Sequence, residues 1–273
     1  MGYHTLLVNV DDDPKLEERL RTARALAQRF DAFLLGLHVV PPPVLPVGYG
    51  EAVAYVGPEL VEAQRKAARE RAERLEARFR ELVAELVPEV AWRLIEGDAA
   101  HVLPEQAHCV DLTLVSQTET RGLEVLEPDL AEYLAMSAGG PVLVLPASGW
   151  REDLGRRILV GWNGSRQACR AVHDALPFLA GAEEVVMMAI GEEAALTLED
   201  AVAMLARHEV EVQAVRLGDE PRPGARLLEE AARRSIDMLV MGAYGHARWR
   251  ELILGGTTRH VLQHAELPVL ASS

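Results

Sequence analysis

Lysine is nearly missing from this chain: Lys15 and Lys66 are the only two, and arginine supplies the rest of the 28 basic residues. A mechanism that needs a reactive amine therefore has just two candidates. Positive charge is scarce as a whole, with 42 acidic residues against 28 basic ones and a formal net charge of −14. Nucleic-acid binding draws its affinity from neutralised phosphates, so no nucleic acid is expected as a partner, although a small local anion site remains open. Cysteine is limited to Cys109 and Cys169, without C-x-x-C or Cys/His spacing. That excludes a structural zinc cluster and a disulfide framework, and it fits a reducing cytoplasm. No run reaches the roughly 18 uninterrupted apolar residues of a membrane span, so no membrane partner is expected. The chain passes from Met1–Thr5 straight into Leu6-Leu7-Val8 without a basic leader region, so an export signal is not expected and the location is read as cytoplasmic. Neither a P-loop nor a G-x-G-x-x-G fingerprint follows any apolar run.

What is present is a repeat. The chain has 273 residues, 49% of them hydrophobic and 26% charged, which at roughly 100–200 residues per domain suggests two soluble, globular units. Residues 5–11 and 157–163 are apolar runs ending in a small polar cluster at Asp11 and Asn163. Each leads into a helix-like segment, Glu17–Arg29 and Arg166–Leu179, and then into a second apolar run, Phe33–Val40 and Val185–Ile190. Further on, Glu96-Gly97-Asp98 is echoed by Leu217-Gly218-Asp219, Asp111–Val115 by Asp237–Met241, and Gly140–Leu145 by Leu267–Ala271. The offset is 152 between Asp11 and Asn163 but 126 between Asp111 and Asp237, which places 26 extra residues in the first half. They fall in a Pro/Gly-rich loop from Pro41 to Pro58 and in a long amphipathic helix of about Glu59–Val87, with an apolar stripe of Leu75, Phe79, Leu82 and Leu86. Residues 1–147 and 156–273 are read as two domains joined by the polar linker Ala147–Arg156.

Strand-like runs alternating with helical segments predict an α/β fold: two Rossmann-like, doubly wound parallel-sheet domains created by tandem duplication. Ligands of such sheets sit beyond the carboxyl ends of the strands at the switch point. That draws attention to Asp11 and Ser116 in the first half, and to Asn163 and Gly242 in the second.

After the fourth strand of the second half comes Gly242-x2-Gly245-x9-Gly255, followed by Gly256, Thr257 and Thr258 at the start of a helix. Glycines let backbone N–H groups approach an anion, a helix start offers unpaired donors, and the two hydroxyls can add to them. The alternative is plain turn chemistry. At these residues the sequence resembles the universal stress protein family, specifically its tandem members, whose fold is related to that of the adenine nucleotide alpha hydrolases. The resemblance covers nearly the whole chain, including the closing Pro268-Val269 strand. It implies binding of ATP or another adenine nucleotide, with or without Mg²⁺. The glycines and hydroxyls would hold phosphates and ribose, and Gly161, Trp162, Asn163 and Ile190, with Met241 beside them, would hold the base. His246 is either a phosphate contact or an exposed loop residue. The family pattern usually has an acid in place of Asn163 and Ser or Thr in place of Gly256, so binding is expected to be retained in weakened form. The resemblance also implies edge-to-edge pairing of Pro141–Leu145 with Pro268–Ala271, an internal pseudo-dimer, and leaves a homodimer of whole chains open.

The first half lacks this cradle: Ser116 and Glu119 replace the leading glycines, and Glu127 and Asp129 put negative charge near the matching helix. It is read as a structural partner with a degenerate motif. The run Asp11-Asp12-Asp13-Pro14 reads either as a Mg²⁺ site or, in preference, as a helix cap. His260 and His264 lie four apart without a third ligand, and Ser165 precedes a helix as an N-cap. Trp249 reads as a packing residue and His38 as a core histidine. No catalytic set and no metal set emerges. The resulting reading is a stress-response regulator or binding module, with two alternatives beside it: an interaction protein without nucleotide, and a slow ATPase.

Overall fold

The computed structural model describes residues 2–43, 58–84, 86–117, 129–243 and 256–273. The first half runs β1 (Thr5–Asn9), α1 (Leu16–Phe30), β2 (Phe33–Val40), α2 (Pro58–Phe79), β3 (Val90–Glu96), α3 (Ala99–Ala107), β4 (Leu112–Ser116), α4 (Leu130–Ser137) and β5 (Val142–Leu145). The second runs β6 (Arg157–Trp162), α5 (Arg166–Asp174), α6 (Leu176–Leu179), β7 (Glu184–Ile190), α7 (Glu192–Ala195), α8 (Leu198–Arg207), β8 (Gln213–Leu217), α9 (Pro223–Arg233), β9 (Met238–Gly242), α10 (Gly256–His264) and β10 (Val269–Ser272). The apolar strands β1, β4, β5 and β9 are buried nearly throughout, as continuous apolar runs with helices on both faces should be.

The ten strands of the described residues form one sheet in the order β3-β2-β1-β4-β5-β10-β9-β6-β7-β8. Within each half the strands are parallel and follow a 3-2-1-4-5 pattern, the doubly wound arrangement expected from the repeat. Among the described residues the only antiparallel pair is β5 with β10, in the register Val269–Val144, Leu270–Leu143 and Ala271–Val142. This is the edge-to-edge contact that the resemblance implied. It turns two sheet edges, each otherwise open to pairing with another chain, into the middle of a sheet. Two apolar cores result, one on each face, and each contains residues of both halves.

Side chains tie the halves together above the seam. The rings of Tyr3, Phe30 and Phe178 meet at centroid distances of 5.0 to 5.6 Å. The Tyr3 hydroxyl donates to the Asp174 carbonyl at 2.5 Å, and the Arg29 guanidinium lies 5.3 Å from the Phe30 and Phe178 centroids. Trp150 Nε1 donates to Thr22 Oγ1 at 2.7 Å, anchoring the linker on α1.

Three details differ from the sequence reading. The long helix α2 ends at Phe79 and continues as a π-helical turn, Arg80–Ala84. Its wider turn advances the buried positions by one residue, so Val83 and Val87 enter the core while Leu86 is 52% exposed. Phe79 packs on Gly36, where a Cβ would lie 2.7 Å from the ring. Second, the segment Arg166–Leu179 is broken between α5 and α6, because Pro177 cannot continue the hydrogen-bond ladder. Third, the partly exposed edge strands β3 and β8, without a strong apolar run, complete the two ends of the sheet. Among the described residues no helix is long and apolar enough to cross a membrane.

Leu270 is fully buried opposite Leu143 at the seam. Replacing it with alanine is expected to lower stability by about 2–5 kcal/mol. Urea unfolding followed by circular dichroism checks this; an unchanged midpoint would show that the seam contributes little.

Candidate functional site

The carboxyl ends of β6, β7 and β9 lie side by side, since β6 is hydrogen-bonded to both neighbours. Gly161 is registered with Met241, and Trp162 with Ala189, one residue before Ile190. The structure therefore brings together Gly161, Trp162, Asn163, Ile190, Met241 and Gly242. The Trp162 ring is buried and its Nε1 donates to Thr197 Oγ1 at 3.1 Å, so it is a packing group of the core. Asn163 is exposed, and its Oδ1 accepts from the Ser165 backbone N–H at 3.1 Å. Ser165 in turn caps α5, its Oγ accepting from Ala168 N. Gly245, His246, Trp249 and Gly255 lie outside the described residues.

Gly242 is a close-approach glycine. A Cβ there would lie 2.5 Å from Ala168 N and 2.6 Å from the Gln167 carbonyl carbon, both backbone atoms. The end of β9 thus rests directly on the first turn of α5. Gly224 plays the same part between α9 and α10: a Cβ would meet the Thr257 carbonyl oxygen at 3.0 Å. Helix α10 begins with exposed Gly256, half-buried Thr257 and buried Thr258. Among the described residues, a Cβ on Gly256 would meet nothing within 4 Å. Gly255, which precedes it, has no side chain with which to cap α10.

The first half has the same backbone and different chemistry. By the offset of 126, Asp129 corresponds to Gly255, and its carboxylate accepts from Glu132 N at 2.7 Å, capping α4. Burial pushes the Asp129 carboxyl above the usual range, against the opposing pull of the Glu132 and Ala131 backbone N–H groups. By the offset of 152, Arg19 corresponds to Ala171. Arg19 is fully buried; it donates to Ser116 Oγ at 2.5 Å and pairs with Asp13 at 3.3 Å and with Asp11. The two residues expected to flank the first-half crevice, Asp11 and Ser116, are thus bridged by an internal guanidinium. Asp12 pairs with Arg71 at 2.7 Å. The acidic run is therefore neither a helix cap alone nor a free acidic cluster: it supplies counter-ions to arginines, and only Asp13 also serves the helix start, accepting from Lys15 N. Sequence reasoning missed Arg19; the available signal was a charge amid the buried stripe Leu16, Leu20 and Ala23.

The histidines carry less. His260 and His264 stack at 4.4 Å, and His264 Nδ1 is 2.9 Å from the His260 carbonyl oxygen. Burial, then His264 and Arg222, holds His260 below the usual imidazole range. Among the described residues no group of three or more potential ligands could hold a metal ion. His38 is a core residue, with Nδ1 2.7 Å from the Val10 carbonyl oxygen and the ring stacked on Trp92.

A repeated, parallel, doubly wound sheet with its polar residues gathered beyond the strand ends defines a tandem α/β protein of the Rossmann-like kind. The chain belongs to the universal stress protein family, whose model matches residues 2–146 and 177–272. It is similar to a universal stress protein from Archaeoglobus fulgidus DSM 4304: 16% identity, covering 98% of this chain and 96% of that one, at a TM-score of 0.75. A putative universal stress protein from Pseudomonas aeruginosa UCBPP-PA14 matches at 16% identity and a TM-score of 0.62, covering 99% and 93% of the two chains. Among curated sequences, universal stress protein Slr1230 of Synechocystis is 53% identical over 36 residues, 13% of this chain and 12% of that protein. Another universal stress protein has been solved in complex with cAMP.

Gly242→Ala forces a methyl group against the backbone of α5 and is expected to lower the melting temperature and disturb the amide signals of Gln167 and Ala168; unchanged spectra would contradict the close approach. Glu132, fully buried on α4, accepts from Gln263 Nε2 at 2.8 Å and lies 3.6 Å from Arg259. Burial, and secondarily Asp129, raises its carboxyl above the usual range. A raised carboxyl contributes stability below its unfolded value of roughly 4.3 and loses it as pH rises through the folded value. Glu132→Gln keeps the neutral form at every pH, so its stability relative to the native chain is expected to be greater at about pH 7 than at about pH 4. Urea titrations at the two pH values measure this.

Proposed function

We propose that this universal stress protein is a regulator or binding module that holds one ATP or related adenine nucleotide per chain, in its second domain. The domains are taken as residues 1–147 and 156–273. The observation that carries this reading is the difference between two equivalent helix starts. In the first half Asp129 satisfies the N-terminus of α4 with its own carboxylate. In the second, α10 opens on Gly256 and Thr257, neither of which brings a carboxylate to the helix start. A helix start with unpaired N–H groups attracts phosphate, and a carboxylate already in that place repels it. The backbone of Gly256 and Thr257 and the Thr257 and Thr258 hydroxyls would hold phosphate oxygens, with Gly242, Gly245, Gly255 and His246 around them. Gly161, Trp162, Asn163, Ile190 and Met241 would border the base, as the family resemblance implies.

The role is binding rather than rapid turnover. A cytoplasmic stress response triggered by nucleotide occupancy suits a crevice whose described polar groups include backbone amides, hydroxyls and an amide side chain. Equilibrium titration with ATP and ADP tests the reading. Saturable binding is expected in the native chain, with affinity lowered by about tenfold or more in Gly256→Asp, which places a negative charge at the start of α10, where the added Cβ meets none of the described residues. An unchanged melting temperature in that variant separates repulsion from misfolding. Absence of saturable binding at millimolar nucleotide would overturn the reading, and rapid phosphate release would replace it with an ATPase.

A further inference from the structure

Asp219 is a carboxylate with a position and no assigned task. The sequence aligns Leu217-Gly218-Asp219 with Glu96-Gly97-Asp98, yet the two aspartates are used differently. Asp98 is the N-cap of α3: its carboxylate accepts from Ala100 N at 3.0 Å and from His101 Nδ1 at 2.9 Å. In the second half the helix starts later, at Pro223, and the capping position is Arg222. Asp219 is thereby released from capping. It is exposed, and among the described residues it makes no hydrogen bond and no ion pair.

Its place is held by a glycine. Gly191 follows Ile190 at the end of β7 and has φ +92°, a conformation that favours glycine. A Cβ on Gly191 would lie 3.0 Å from Asp219 Oδ1, so the carboxylate sits over the backbone of the strand end that borders the crevice. Gly191 N also donates to the Leu217 carbonyl oxygen at 3.1 Å, joining the ends of β7 and β8.

Sheet order sets the distances. From β9 through β6 to β7 is two strand spacings, roughly 10 Å, and β8 lies one spacing beyond. A nucleotide with its phosphates at α10 therefore reaches the ends of β6 to β8 with its base. There the Asn163 NH2 group is available as a donor, its Oδ1 already accepting from Ser165 N, while the Asp219 carboxylate supplies acceptors. Adenine offers the complement of such a pair: an exocyclic amine beside ring nitrogens that accept. A 6-oxopurine offers an acceptor oxygen in place of the amine.

We propose that Asp219, held over Gly191, is a specificity-determining residue of the nucleotide site, accepting from the exocyclic amine of adenine while the Asn163 amide donates to a ring nitrogen. The proposal rests on the nucleotide reading above and adds a residue and a selectivity to it. ATP and ITP differ at this one group, so their affinities for the full chain form the test. The native protein is expected to prefer ATP by about tenfold or more, the range of a hydrogen bond to a charged group. Asp219→Asn, an isosteric change at an exposed position, is expected to bring the ratio close to one, by weakening ATP and sparing ITP. Asp98→Asn is expected to leave the ratio as it is. A native ratio near one, or a ratio that Asp219→Asn leaves unchanged, including equal loss of both nucleotides, overturns the role of Asp219 while the nucleotide site stands. Binding of neither nucleotide to the native chain overturns both.

Discussion

The antiparallel pairing of β5 with β10 is the constraint on which the rest of the molecule depends. A five-stranded parallel sheet that ended at β5 or at β10 would expose a buried-type apolar strand along one edge. Joining the two edges gives a single sheet in which Leu143 and Leu270 face each other, and it lets one apolar core run along each face through both halves. The Tyr3–Phe30–Phe178 cluster closes over this seam on one side, and α4 meets α10 through Glu132, Gln263 and Arg259.

Duplication supplied the same backbone twice, and the polar residues then diverged in opposite directions. In the first half, charges satisfy one another: Arg19 bridges Asp11 and Ser116, and Asp129 caps its own helix. Such a buried, paired guanidinium is held firmly, because removing either partner leaves an uncompensated charge. In the second half the equivalent positions are small, with Ala171 opposite Arg19, Gly242 opposite Ser116 and Gly255 opposite Asp129. Small residues there have packing reasons as well as chemical ones, since Gly242 is the point where β9 touches α5. One substitution pattern thus fills these positions with paired charges in the first half and with small residues in the second.

Much of this was legible in the linear order of residues. The paired apolar runs predicted the parallel sheet, the excess of 26 residues was placed in the right connection, and Ser165 was recognised as a cap from its place before a helix. The exceptions have local causes. A π turn brought Val83 and Val87 into the core beside the partly buried Leu82 and left Leu86 exposed, because a period of 3.6 residues does not anticipate a wider turn. The weak strands β3 and β8 gave little signal, since edge positions are half exposed and carry no continuous apolar run. The site residues at strand ends could be named because strand ends are readable; their side-chain partners could not.

By itself, then, the sequence determined the class of fold, the duplication and the half in which glycines and hydroxyls survive, because periodicity and small-residue spacing are properties of neighbouring positions. Only the tertiary structure decided that Arg19 fills the first crevice, since its partner Ser116 is 97 residues away. It alone decided that Asp98 and Asp219, one motif in the sequence, are a helix cap in one half and an exposed carboxylate beside Gly191 in the other. The physical reason is that a helix beginning a few residues later leaves the same carboxylate with different neighbours, and which neighbours those are depends on crossovers that bring distant segments together.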